Sequence, residues 1–326
     1  MRRREFIAVL GGASAWPLLT RAQRPMTLAR IGVLSDQSPA LTFLDLIPFQ
    51  KGLRELGFIE GQNLAIERRD AGGNHGVLRR MAAELIDGRA DAILAIGTSA
   101  TRAAKDASSI TPIVFVRVGD PVASGLVQSI ASPGGNLTGL SLLTVDLAAK
   151  RLELLIQTDP GVGRVGVISE EGFATTAAQL NEIERAGQLL GINLKLVSVR
   201  GASELDAAVS ALMAERVNGL IVTASILLTE NRSQLSQIAL KAGLPAIAVR
   251  REFPEAGLMM SYGSSFAVMF QRAAAYMYKI LKGAKPAELP VEQPDRIEFV
   301  INIRTAKALG VPLSPNVLAR ADEVIE

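Results

Sequence analysis

The sequence predicts an α/β chain folded as two doubly wound, parallel-sheet lobes, and three observations predict it. Short β-branched runs alternate with longer amphipathic segments from Ala29 onward, the pattern of parallel strands joined by crossover helices. The alternation runs through two successive series, one ending near Leu142 and one beginning after it. Setting 22 N-terminal residues aside from 326 leaves 304, more than one hydrophobic core ordinarily serves.

Those first 22 residues read as a secretory leader. Arg2-Arg3-Arg4-Glu5-Phe6-Ile7 precedes an apolar run over 8–19, and Thr20-Arg21-Ala22 then places small residues before Gln23. The run is shorter than the roughly 20 residues a membrane-spanning helix needs, so cleavage near Ala22-Gln23 and a periplasmic location are expected. Arg3-Arg4 followed at once by Phe6-Ile7 and a Gly/Ala-rich stretch reads as a twin-arginine (Tat) export signal. The other reading of these arginines is an ordinary basic leader start.

The leader holds four of the 35 basic residues and one of the 32 acidic ones, which leaves 31 of each in the mature chain. Nothing in that balance suggests a polyanion-binding surface, so nucleic acid is not an expected partner. With no cysteine there can be no disulfide, thiolate metal site or lipid-modified cysteine. His75 is the only histidine, which leaves little for an imidazole base or a His-rich metal site. No cofactor or metal is expected, and the chain is read as a monomer.

Residues 30–34 form the first strand, followed by the polar turn Ser35-Asp36-Gln37-Ser38 and a helix over 39–56 with Gly57 at its C-cap. A strand over 64–67 leads to a helix over about 75–87, where Leu78, Met81, Ala82, Leu85 and Ile86 keep helical spacing. The strand over 91–96 turns at Gly97-Thr98-Ser99 into an Ala-rich helix reaching Ser108. Residues 112–116 are continuously apolar, as befits a strand covered on both faces. Gly119-Asp120-Pro121 ends it, residues 122–130 predict a short helix, and the turn at 132–136 precedes a short strand over 137–141.

The second series comprises helices over 146–158, 175–190, 203–215 and 230–242 and strands over 164–169, 194–199, 220–223 and 246–249. A strand over 258–263 and a long helix over 266–281, bounded by Gly283 and Pro286, follow. The prolines in Leu289-Pro290-Val291-Glu292-Gln293-Pro294 keep that stretch extended, which suits a linker back between lobes. Lobe 1 is expected over 28–142 plus 264–288, and lobe 2 over 143–263 plus 289–326, with the first crossing near 142–145.

In such sheets ligands sit at the carboxyl ends of the strands. The residues there are Ser35-Asp36, Gly97-Thr98-Ser99, Gly119-Asp120-Pro121 and Ser141 in the first lobe, and Ser169-Glu170, Thr223-Ala224-Ser225, Arg250-Arg251 and Tyr262-Gly263-Ser264 in the second. Hydroxyls and glycines dominate, which suits hydrogen bonding to a neutral or carboxylate-bearing small molecule. Gly97-Thr98-Ser99 is the sharpest case, because a glycine turn presents helix N–H groups to an anion, although Thr98 or Ser99 could simply cap the helix. Asp120 could take an ammonium, but Gly-Asp-Pro is also a common turn and cap. Arg250-Arg251-Glu252 reads first as a solvated charge cluster, and His75 as a surface residue at a helix start. Neither glycine pair, Gly11-Gly12 or Gly134-Gly135, matches a dinucleotide or phosphate loop, no serine sits in a nucleophile elbow, and an enzyme is not expected.

The run at 52–63 (Gly-Leu-Arg-Glu-Leu-Gly-Phe-Ile-Glu-Gly-Gln-Asn), Pro112-Ile113-Val114-Phe115, Val118-Gly119-Asp120-Pro121-Val122 and the run at 133–140 resemble the ABC transporter substrate-binding family that includes binders of tryptophan and other aromatic amino acids. So do Arg251-Glu252-Phe253, Tyr262-Gly263, the runs at 281–286 and 289–294, Ile301-Asn302 and the run at 305–310. The resemblance implies a type I periplasmic binding protein: two lobes joined by a three-strand hinge, closing over a small-molecule ligand for delivery to ABC permease transmembrane subunits. It puts Ser35, Thr98, Ser99, Gly119, Asp120 and Tyr262 along the cleft. The sequence departs from the family at Ser169-Glu170-Glu171-Gly172, where an Asn-Pro segment is common, and at Thr223-Ala224-Ser225, where a Pro-Asp pair would supply an acid for a ligand ammonium.

The expected ligand-binding set is thus Ser35, Gly97, Thr98, Ser99, Gly119, Asp120, Ser141, Ser169, Thr223, Ser225, Tyr262 and Gly263, holding an amino acid or another carboxylate. A sensory protein presenting its closed form to a membrane receptor is the competing function. A repressor effector domain would need a helix-turn-helix where the leader stands, and an exported α/β enzyme would consume its ligand.

Overall fold

The computed structural model describes residues 28–142, 144–173 and 175–326; the expected leader and twin-arginine motif lie outside them. Lobe 1 is built from β1 (Ala29–Ser35), α1 (Pro39–Glu55), β2 (Leu64–Asp70), α2 (Leu78–Asp87), β3 (Ala92–Ile96), α3 (Thr98–Ala107), β4 (Ile113–Val118) and β5 (Leu137–Ser141). Its strands are all parallel in the order β2-β1-β3-β4-β5. Every residue of β3 and β5 is buried, and of β4 only Arg117 is not fully covered, so helices lie on both faces of these strands.

Lobe 2 begins with α4 (Ala148–Thr158), β6 (Arg164–Glu170), α5 (Thr176–Leu190), β7 (Asn193–Val199) and α6 (Leu205–Ala214). It continues through β8 (Gly219–Val222), α7 (Ile226–Glu230), α8 (Arg232–Lys241), β9 (Ala246–Ala248), α9 (Glu252–Glu255) and β10 (Met260–Ser264). The chain then crosses to α10 (Phe266–Leu281), which packs on α1 in lobe 1, where the Cβ positions of Gly52 and Ala274 would lie 2.8 Å apart. Any larger residue at Gly52 would push the two helices apart. The return path leads to β11 (Ile297–Asn302), α11 (Ile303–Ala308), α12 (Pro315–Leu318) and β12 (Glu323–Ile325).

The seven-stranded sheet runs β12-β11-β10-β9-β8-β6-β7 and is parallel except where β10 meets β11. That antiparallel edge is what three crossings require: the chain leaves lobe 2 after β10 and re-enters it before β11 from the same side. The crossings are hydrogen-bonded to one another, with Ser141 N donating to Glu292 O at 2.9 Å and Ser265 N to Arg296 O at 3.0 Å. Two details differ from the sequence reading. Residues 122–130 form turns rather than a helix, because Asp120 Oδ1 accepts from Val122 N and Ala123 N and Gly125 takes a positive φ of 63°. The helix expected over 230–242 is α8, and a short helix the sequence reading did not name, α7, precedes it, the two separated at Asn231.

Candidate functional site

The carboxyl ends of both sheets face a cleft between the lobes with about 770 Å³ of empty space, including the part open to solvent. Six of the twelve expected residues line it: Gly97, Thr98, Ser99, Gly119, Thr223 and Ser225. The two second-lobe hydroxyls are already engaged, since Ser225 Oγ caps α7 by accepting from Leu228 N at 2.9 Å and Thr223 Oγ1 donates to Ile168 O at 3.2 Å. Thr98 and Ser99 are not the caps of α3. The N-cap is Gly97, at φ 95°, with no side-chain capping bond, so the first-turn N–H groups of this ten-residue helix point toward the cleft without a side-chain partner.

The other six expected residues serve the framework. Ser35 Oγ accepts from Thr42 Oγ1 at 2.8 Å and from Gln37 N at 3.1 Å. Asp120 caps its own turn, Ser141 is buried in the first crossing, and Ser169 Oγ bonds Ser198 Oγ at 2.9 Å. Tyr262 meets Phe299 edge to face with centroids 6.2 Å apart, and Gly263 packs on the Val249 carbonyl. None of these six borders the cleft. His75 is exposed, as expected, and also stands at the cleft, with Nδ1 3.5 Å from Ser99 Oγ.

The cleft has a charged floor, of which the strand-end reading named Asp36 and Arg250 but not Arg117. Arg117 lies inside β4, where the β4–β5 register slips between Val116 and Val118 and the Arg117 backbone takes a φ of 66°. Such a bulge turns its side chain out of the sheet alternation, and a non-glycine residue in left-handed backbone needs a surrounding structure that holds it there. The guanidinium lies 5.3 Å from the Phe266 ring centroid, and its buried Nε and Nη1 have no hydrogen-bond partner among the described residues. Burial lowers its pKa, and the neighbouring Arg250 charge lowers it further. The signal in the sequence was one arginine within the otherwise apolar run 113–118.

Asp36 is the complementary group. Its carboxylate packs against Gly97, where any Cβ would lie 2.0 Å from Oδ2, so α3 begins with glycine because the acid occupies that space. Asp36 Oδ1 is buried and unpartnered among the described residues. Burial pushes its pKa up to about 6 despite the opposing charges of Arg117 and His75. Apolar side chains complete the cleft: Leu142, Phe173, Ile226, Val249, Phe253 and Phe266.

Arg250, first read as a solvated charge, is only 3 % exposed in its side chain. Its Nη2 donates to Asp45 Oδ1 at 3.1 Å across the lobes and to Glu252 Oε1 at 2.5 Å, and the guanidinium stacks 4.0 Å from the Phe266 centroid. Burial opposes the charge, but Asp45 and Glu252 outweigh it and hold the arginine protonated. Arg251, by contrast, is the surface cation expected, paired with Glu255 and Glu323. A second direct contact joins the lobes where Ser38 N donates to Glu230 Oε1 at 3.0 Å. Among the described residues no cluster of three or more acidic or histidine side chains is arranged to hold a metal ion, and no helix is long and apolar enough to cross a membrane.

The sequence matches the family described as ABC transporter substrate binding protein over residues 44–325. It is 28% identical over 264 residues to a tyrosine-binding protein of Clostridioides difficile, covering 81% of this chain and 75% of the relative. An ABC domain from Streptococcus pneumonia in complex with L-Trp superposes with a TM-score of 0.82 at 25% identity, over 92% of this chain and all of the other. A ligand-free, open substrate binding protein with adhesive properties from Clostridium difficile gives a TM-score of 0.70 at the same identity, over 91% of this chain and 99% of the other.

Proposed function

Because the chain belongs to the ABC transporter substrate binding protein family, we propose that it captures a zwitterionic amino acid by lobe closure and delivers it, unchanged, to an importer. One observation carries this reading: a cationic and an anionic side chain, Arg117 and Asp36, are both buried in the cleft with unpartnered polar atoms. An unsatisfied buried polar atom costs about 1 to 3 kcal/mol, more when charged, so a site keeps such atoms where a ligand completes them. The ligand carboxylate lies on Arg117 Nε and Nη1 and on the N-terminus of α3, where helix dipole and guanidinium act together. The ammonium lies on Asp36, whose raised pKa returns toward its ordinary value as the ligand charge offsets its desolvation. Asp36 thereby takes the part of the acid that Thr223-Ala224-Ser225 lacks.

The side chain of the ligand meets Phe173, Phe253, Phe266 and Ile226, which favours an apolar or aromatic amino acid, in keeping with the tyrosine and L-Trp named for the two relatives. In this reading the expected leader directs the chain to the periplasm, where the mature protein works as a monomer with permease transmembrane subunits, and no step of catalysis is assigned to the cleft. Calorimetric titration with the twenty L-amino acids tests the reading. Saturable one-site binding is expected for at least one of them, with loss of binding when the amino or the carboxylate group is removed from it. Equal binding of the des-amino compound would remove Asp36 from the site.

A further inference from the structure

Asp45 sits on α1 of lobe 1 with a side chain 3 % exposed, between two arginines that belong to different lobes. Its Oδ1 holds Arg250 of lobe 2 at 3.1 Å, and its Oδ2 accepts from Gln37 Nε2 at 2.9 Å. Its own lobe's Arg117 stands back at 3.8 Å, beyond hydrogen-bond distance. Arg250 has a second acid in its own lobe, Glu252, whereas Arg117 has no other carboxylate within ion-pair distance among the described residues. Both guanidiniums lie against Phe266 at the head of α10, so Asp45, Arg117, Arg250 and Glu252 form one cluster of two cations and two anions divided by the lobe boundary, with Asp36 a further acid close enough to Arg117 to feel its charge.

The consequence follows from charge pairing. When the lobes part, the Asp45–Arg250 contact must lengthen; Arg250 keeps Glu252, and Asp45 is left with Arg117 as its nearest cation. A buried carboxylate without a cation is costly, so the pair inside lobe 1 tightens. When the lobes close, Arg250 draws Asp45 away and Arg117 is left with Nε and Nη1 unpartnered, as observed. We propose that Asp45 is a partner-switching positioning residue: it neutralises Arg117 in the open protein and, drawn off by Arg250 on closure, releases that guanidinium to the ligand anion.

The inference rests on the reading of Arg117 as the anion receptor. It makes closure and anion binding mutually supporting, because the receptor is free in the closed state and masked in the open one. A ligand can shift a conformational equilibrium only by its difference in affinity for the two states, and the switch supplies that difference.

The test is made without ligand, so its failure is distinguishable from a wrong identification of the ligand. The chain has no cysteine, so Ala123→Cys in lobe 1 and Glu184→Cys in lobe 2, both exposed, accept a pair of spin labels without competition. Pulsed dipolar spectroscopy then reads the lobe separation. Arg250→Gln and Asp45→Asn are expected to lower the closed-to-open ratio about fivefold or more, and Arg250→Lys by less. In parallel, a double-mutant cycle between Asp45→Asn and Arg117→Gln, read by urea unfolding, is expected to show weak coupling with Arg250 present. With Arg250→Gln the coupling should grow about threefold or more as a factor in the folding equilibrium. The lysine variant keeps the cluster neutral and serves if the glutamine variant fails to fold. Unchanged label distances in both Asp45→Asn and the Arg250 variants, or a coupling indifferent to Arg250, would overturn the switch.

Discussion

Replacing Asp36 with asparagine should stabilise the empty protein while weakening its hold on the ligand, and the size of the effect can be worked from the site. The carboxyl titrates at about 6 in the folded protein against an ordinary 3.8, a difference of roughly 2 pH units. At about 1.4 kcal/mol per unit, keeping it ionised in the folded state costs on the order of 3 kcal/mol at neutral pH. The sign follows from proton linkage. The folded state binds this proton more tightly than the unfolded chain, so the Asp36 contribution to stability is fully present below about pH 4 and is lost as pH rises through about 6. Asparagine is neutral throughout and close in shape. Urea unfolding of ligand-free protein should therefore show Asp36→Asn more stable by up to about 3 kcal/mol near pH 8, with the gain shrinking toward zero near pH 4. Affinity for the amino acid should fall by about 2 to 5 kcal/mol, the usual loss when one side of a buried charge pair is removed. An asparagine variant that is no more stable near pH 8, or whose gain does not vary with pH, refutes the account of Asp36 as a desolvated receptor.

Thr98→Val keeps size and removes a hydroxyl at the head of α3; affinity should drop by about 1 to 3 kcal/mol in calorimetry, with little change in stability because Gly97 rather than Thr98 is the N-cap. Gly97→Ala drives a methyl into the Asp36 carboxylate at a backbone φ of 95° and should lower thermal stability and abolish binding together, by about 2 kcal/mol or more in stability. Arg151, wholly buried in α4, donates Nε to Tyr262 O and Nη2 to Thr144 O beside the first and second crossings, so Arg151→Lys should lower unfolding free energy by about 1 to 3 kcal/mol. Replacing Arg3 and Arg4 by lysines should strand folded precursor in the cytoplasm, read by fractionation and immunoblot; unchanged periplasmic yield would refute the twin-arginine assignment.

The two-sheet architecture was legible because parallel strands buried on both faces leave long apolar runs, such as 112–116, separated by helices of fixed period. Of the strand ends singled out in the sequence, Gly97, Thr98, Ser99 and Gly119 border the cleft of the first lobe. Sequence does not say which strand-end hydroxyls are already engaged: Ser35, Ser169 and Ser225 look alike in one dimension, and each is satisfied within the framework. Arg117 escaped notice because it borders the cleft only through a bulge that redirects one side chain of β4. Asp45 lies in mid-helix on α1, where a carboxylate ordinarily faces solvent, and only the approach of the second lobe makes it a buried partner of Arg250. Arg250 looked like half of a surface pair for the same reason. Contacts that cross a hinge carry no local periodicity, so the pairing of Asp45 with a residue 205 positions away is visible only once both lobes are in place.

The central claim is that Arg117 and Asp36 receive the two charges of an amino acid between closed lobes, and a crystal structure of the protein with its best-binding amino acid measures this most directly. The account predicts the ligand carboxylate within hydrogen-bond distance of Arg117 Nε or Nη1 and of the first-turn N–H groups of α3, and the ammonium on Asp36 Oδ1. A ligand whose carboxylate is held elsewhere, with the Arg117 guanidinium still unpartnered, would contradict it.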